Sequence, residues 1–176
     1  MFSLLAIMAV SWAEDTLAQM TVEEKVGQLF IAPACPLRGE DHRKDLRFLI
    51  DHYHIGGIIL KQGDPNSQVA LINELDSPIP LLCVADAEWG VSMRLEKALK
   101  FPRNLTLGAI QDVYLISRFG KQIGWECAQV GIDLNFAPVV DVNTNPLNPV
   151  IGTRSFGQDP NQVADRALLV MKGMQE

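Results

Sequence analysis

From residue 16 onward, short unbroken apolar runs alternate with longer stretches in which apolar residues recur every three to four positions. That rhythm predicts strands buried on both faces, separated by amphipathic helices. Thr21 and Glu24 stand at capping-box spacing, so a helix begins there, with Val26, Leu29 and Phe30 turned inward. Residues 29–32 form the first expected strand, which Pro33 and Pro36 close. Leu46, Leu49, Ile50 and Tyr53 share one face of a helix over residues 42–54. Residues 58–60 are the second strand, and a helix opening at Pro65 turns Val69, Ile72 and Leu75 to the core. Residues 81–85 (LLCVA) are the third strand, since Pro80 bounds them and they show no alternation. Residues 101–109 read as a loop against the rim, and residues 112–130 as a long helix. Residues 133–141 (DLNFAPVVD) are the fourth strand, with Pro138 near its end because proline removes a ladder donor. Asp159-Pro160-Asn161 opens a last helix whose inner face carries Val163, Ala167, Val170 and Met171.

Four strand-helix units imply a parallel sheet joined by right-handed crossovers. The expected fold class is α/β, the first half of a TIM-like (β/α)8 barrel. Four units are half of eight, so the chain reads as truncated.

Polar chemistry gathers where such a sheet exposes it, after the strands. Directly behind the third strand come Asp86, Glu88, Trp89, Gly90 and Arg94. Carboxylates accept from paired hydroxyls, a guanidinium donates a fixed fork, and an aromatic face covers C–H surface, so the set suits a polyhydroxylated ligand. An ion-paired loop around a packed Trp accounts for the same residues equally well. A second cluster follows the fourth strand: Asp141, Asn143, Asn145, Asn148, then Gly152, Arg154, Phe156 and Gly157, a shaped loop rich in turn formers.

Composition narrows the partners. The formal net charge of −6 and pI near 5.0 disfavour nucleic acid and anionic membranes, which require a basic surface. Cys35, Cys83 and Cys127 lie far apart with no CxxC pair, so they read as free thiols and not as zinc ligands. His42, His52 and His54 lack metal-ligand spacing and read as surface and helix-end residues. No metal and no organic cofactor is expected. The apolar run from Phe2 to Val10, with small residues at Ser11 and Ala13, fits a signal peptide over residues 1–13 and export to the periplasm or beyond. That segment carries no Lys or Arg, and the chain is cytoplasmic if it is not a signal. Residues 14–176 are the domain proper.

The motifs MTVEEKVGQLF, IGGIIL, ADAEWGVSMR, NFAPVVDVNTN and IGTRSFGQDP, in that order, resemble the amino-terminal domain of glycoside hydrolase family 3. They are most similar to its bacterial β-N-acetylhexosaminidases (NagZ-like). The resemblance implies a retaining β-glycosidase that removes terminal N-acetylglucosamine from a glycan or peptidoglycan fragment. It places Asp86, Arg94 and Arg154 in the −1 sugar subsite. Glu88 stands behind those contacts, and Asp141 organises the loop that carries Arg154. The family's nucleophile and its histidine acid/base lie in segments with no counterpart in residues 1–176, so no residue here is assigned a catalytic role. Three alternatives stay open: a β-glucosidase-type fragment, a non-catalytic sugar-binding module, and a half-barrel subunit completed by a separately encoded second half.

Overall fold

The computed structural model describes residues 12–176; most of the expected export segment lies outside the described residues. Residues 12–19 are helical. Helix α1 (Val22–Gly27) follows, and its start is the expected capping box: Glu24 N–H donates to Thr21 Oγ1 (3.1 Å) and Thr21 N–H to the Glu24 carboxylate (2.7 Å). The chain then runs β1 (Ile31–Ala34), α2 (Glu40–Tyr53), β2 (Gly57–Leu60), α3 (Pro65–Glu74), β3 (Leu82–Ala85), α4 (Asn104–Ala109), α5 (Val113–Gln129), β4 (Leu134–Asn135) and α6 (Pro160–Met174). Helices α3, α5 and α6 start on Asp64, Asp112 and Asp159, each accepting backbone N–H bonds in the first turn.

The strands form one parallel sheet in the order β1-β2-β3-β4, in register at Ile31–Gly57, Gly57–Leu82 and Val84–Leu134. This is the α/β architecture expected, as an open sheet with β1 and β4 at its edges. Ile58, Leu60 and Ala85 are fully enclosed, packed with Leu46, Ile50, Leu71, Ile116 and Ile123 from the helices, and Val84 is fully enclosed as well. Dense burial of this kind is what a parallel strand covered by helices requires.

Six local expectations are corrected. Val26, Leu29 and Phe30 are exposed, because Gly56 N–H donates to the Gly27 and Phe30 carbonyls and this turn aims the side chains outward. Strand β1 begins two residues later than expected and contains Pro33. The Phe30 and Ala34 carbonyls accept from Gly56 and Lys61, so alternation points the donor-free Pro33 nitrogen away from β2, at an edge where nothing needs it. On α2, Leu46 and Ile50 are buried but Tyr53 is exposed at the helix end, beside Phe48 and His52. Helix α3 turns Gln68, Leu71 and Leu75 inward and leaves Val69 on the flank. In the core Gln68 Nε2 donates to the Val130 carbonyl at 2.7 Å, while its Oε1 has no hydrogen-bond partner among the described residues. Strand β4 has only two residues: Phe136 N–H still reaches Ala85 O, and Pro138 then withholds a donor. The stretch 101–109, expected as a loop, contains α4, with Asn104 and Leu107 buried.

Candidate sugar-binding rim

The carboxyl ends of β2, β3 and β4 open on one side of the sheet, and each delivers part of a single polar rim. After β3 the chain is clamped at once. Ala87 N–H donates to Asn135 Oδ1 (2.9 Å) and Asn135 Nδ2 donates back to Ala87 O (3.3 Å), so the side chain at the end of β4 extends the sheet by one residue. Gly90 then takes φ +89, a conformation that L side chains rarely adopt. The turn Val91–Met93 follows and returns Arg94 to the start of the loop.

Arg94 closes on Asp86 through Nη2 to Oδ2 at 2.5 Å and through Nε to the Asp86 carbonyl at 3.1 Å. Its position is fixed further from β2: Gly63 N–H donates to Arg94 O and Glu96 N–H to Gly63 O. The Asp86 side chain keeps 30% of its surface exposed, so it has capacity for further partners.

Glu88 points the other way and meets Arg154, 66 residues distant in sequence. Arg154 Nε lies 3.2 and 3.0 Å from the two carboxylate oxygens, and Nη2 lies 2.8 Å from Oε1. The Glu88 side chain is only 4% exposed and that of Arg154 33%. A carboxylate so enclosed is stable only when its charge is met by a well-aligned donor, which the fork of Arg154 supplies. The pair in turn holds the Arg154 guanidinium above its ordinary pKa: its hydrogen bonds to Glu88 act first and outweigh the cost of burial, with Glu88, Asp141 and Asp86 adding attraction.

The loop carrying Arg154 is built from its own polar residues. Asn145 and Asn148 cap local turns, accepting from Leu147 and from Val150 and Ile151. Ser155, fully buried, donates to the Asp141 carbonyl, and Gly157 N–H donates back to its Oγ. Asp141 thus shapes this loop through its backbone, while its exposed carboxylate acts on Arg154 only by attraction. From the other side, Asn104 Nδ2 donates to the Arg154 carbonyl at 2.8 Å. Asp86, Glu88, Arg94, Arg154 and Asp141 therefore share one rim. Ser155, Asn104 and Asn135, which support it, are not distinguishable by local pattern, except that Asn135 is a polar residue inside an apolar strand run.

The cysteines stand apart. Cys83 and Cys127 are buried, and burial pushes both thiols up to about 11; Cys35 is half-buried. Among the described residues no cluster of three or more His, Cys, Asp or Glu side chains could hold a metal ion.

The sequence profile of the glycosyl hydrolase family 3 N-terminal domain matches residues 21–176. The chain belongs to this family. It is similar to the β-N-acetylglucosaminidase/β-glucosidase of Cellulomonas fimi, 34% identical over 157 residues, which covers 88% of this chain and 27% of that protein. It is 36% identical over 147 residues to β-hexosaminidase A of Pseudoalteromonas piscicida, covering 74% of this chain and 24% of that one. Among solved structures, the family 3 β-N-acetylglucosaminidase of a Paenibacillus species superposes with a TM-score of 0.78 at 38% identity, over 89% of this chain and 31% of that one. The β-glucoside phosphorylase BglX superposes with a TM-score of 0.86 at 23% identity, covering 94% of this chain and 30% of that one, a likeness of fold. The chain thus spans about a quarter of the length of these two curated relatives.

Proposed function

We propose that this chain forms one wall of the −1 sugar subsite of a β-N-acetylhexosaminidase that acts on N-acetylglucosamine-containing glycans or peptidoglycan fragments. The observation that carries the reading is the paired arrangement of Asp86 with Arg94 and of Glu88 with Arg154 on one rim. Asp86, partly open, accepts from sugar hydroxyls while Arg94 holds its carboxylate in one orientation. Arg154, aimed by Glu88 and by the Ser155–Asp141 bond, donates to a second hydroxyl. Glu88 is enclosed too deeply to meet the sugar itself. No residue of the chain is given the role of nucleophile or of acid/base.

The sheet belongs to a TIM-like barrel, and residues 14–176 are part of the family's amino-terminal barrel domain. Strands β1 and β4 each leave an edge for further strands, which a separately encoded second half could supply. Residues 1–13 act as a signal for export to the periplasm or beyond, and their apolar run supports this. Unchanged secretion after their deletion refutes it.

The deciding experiment is titration of the chain with N-acetylglucosamine by calorimetry, with Asp86→Ala as the control, alongside assay of a chromogenic β-N-acetylglucosaminide. Binding lost in Asp86→Ala, with no turnover, is expected. Turnover abolished by Asp86→Ala overturns the assignment of binding alone, and absence of binding overturns the site. A β-glucosidase specificity is the second reading, raised by the double name of the Cellulomonas fimi relative. It predicts that glucose binds as tightly as N-acetylglucosamine.

A further inference from the structure

Three arginines stand on the rim, and two of them are neutralised. Arg94 is spent on Asp86 and Arg154 on Glu88. The third, Arg103, lies at the start of α4, with no carboxylate within ion-pair distance among the described residues. It is nonetheless held in place. Its guanidinium carbon sits 4.5 Å from the centroid of the Trp89 ring, and Nη1 donates to Thr153 Oγ1 at 3.1 Å. Trp89 adjoins Glu88 and Thr153 adjoins Arg154, so the group bridges the two loops that build the sugar site.

An ordinary exposed arginine is mobile and pays rotamer entropy on binding. Stacking on an indole and a bond to a threonine remove part of that cost in advance. Only one of its N–H groups is engaged by Thr153, which leaves others of the fork to offer. The chain as a whole carries −6, so an uncompensated, oriented cation beside a binding rim is set against the general charge. Residues flanking Arg103 do not account for it: Lys100 and Asn104 bring no negative charge, and Asn104 is engaged with the Arg154 carbonyl.

From this we infer that Arg103, seated on Trp89, is an oxyanion-binding position at the edge of the sugar site. It takes either a carboxylate carried by the bound glycan or a free phosphate that shares the site with a sugar. The inference rests on the sugar-site reading for the identity of the neighbouring ligand but not for the anion itself.

The test uses the full chain and follows the Trp89 indole N–H by NMR during titration with glucuronate, glucose, inorganic phosphate and N-acetylglucosamine. Glucuronate is expected to bind about five-fold more tightly than glucose, the modest factor appropriate to an exposed charge. That preference disappears in Arg103→Gln, survives largely in Arg103→Lys, and weakens at high salt. Phosphate binding that also requires Arg103 assigns the site to free phosphate as well; an indifferent phosphate assigns it to a carboxylate on the sugar. Equal affinity for glucuronate and glucose with no phosphate binding overturns the inference, as does a preference that persists in Arg103→Gln. Loss of N-acetylglucosamine binding alone, with the Arg103-dependent anion intact, overturns the proposed function and leaves this inference standing.

Discussion

Removing either half of the Glu88–Arg154 pair should destabilise the chain, and the two removals should not cost the same. The Glu88 carboxylate is 4% exposed and the Arg154 side chain 33%. Arg154→Gln strands a buried carboxylate, for which loss of a partner costs about 3 kcal/mol, the lower end for a broken buried pair. Glu88→Gln leaves a guanidinium that water still reaches, so its cost is discounted to about 2 kcal/mol. For a chain of this size those losses lower the melting temperature by roughly 9 and 6 °C. In the double variant Glu88→Gln/Arg154→Gln neither group is left as an unpaired charge. Its loss should therefore be smaller than the sum of the singles by about 2 kcal/mol. Urea unfolding followed by circular dichroism measures all four species. Additive losses, or a Glu88→Gln variant less stable than Arg154→Gln, would refute the view that enclosure of Glu88 dictates the pair.

Further outcomes follow from other parts of the structure. At Gly108 an added Cβ would stand 1.8 Å from the Phe156 carbonyl oxygen, so Gly108→Ala forces α4 off the Arg154 loop. It should cost about 3 kcal/mol by thermal denaturation and weaken N-acetylglucosamine binding with it. Titration with a disulfide reagent at mild alkaline pH should modify Cys35 rapidly and leave Cys83 and Cys127, whose thiols stay protonated up to about 11. A Cys35→Ser variant should then show no fast phase. His42 accepts Cys35 N–H at Nε2, and burial, aided by Arg38, holds its pKa below the ordinary histidine value. Its folded form favours the neutral ring, so this contribution is full above the ordinary histidine pKa and fades as pH falls through the lowered one. Melting temperatures measured from neutral to acidic pH should drop more steeply for the natural chain than for His42→Gln.

Much of the fold was legible because it depends on near neighbours. A cap needs only a side chain and the N–H two or three residues on, so Thr21 with Glu24 and the aspartates before α5 and α6 mark helix starts without reference to the rest of the chain. Buried parallel strands carry their own unbroken apolar runs, which located β2 and β3. Strands at the edges obey a laxer rule. Pro33 is admitted to β1 and Pro138 cuts β4 short, and both outcomes depend on which side of the strand has a neighbour.

The rim divides along the same line. Asp86 and Arg94, eight residues apart in one loop, were legible as members of one polar cluster, and the structure joins them directly. That Glu88 turns to Arg154 and that Asn135 clamps Ala87 follows from the register of β3 against β4. The placing of Arg103 on Trp89 depends likewise on how α4 packs beside the rim. Gln68 shows the limit most plainly: by composition it belongs on a surface, yet it is buried with its Nε2 donating to the distant Val130 carbonyl. The sequence by itself determined the order of the strands and of every helix from α1 on except α4, the caps of α1, α5 and α6, and the family. Tertiary structure decided which distant charges meet, because a hydrogen bond between residues far apart exists only once packing has brought its two ends within hydrogen-bonding distance.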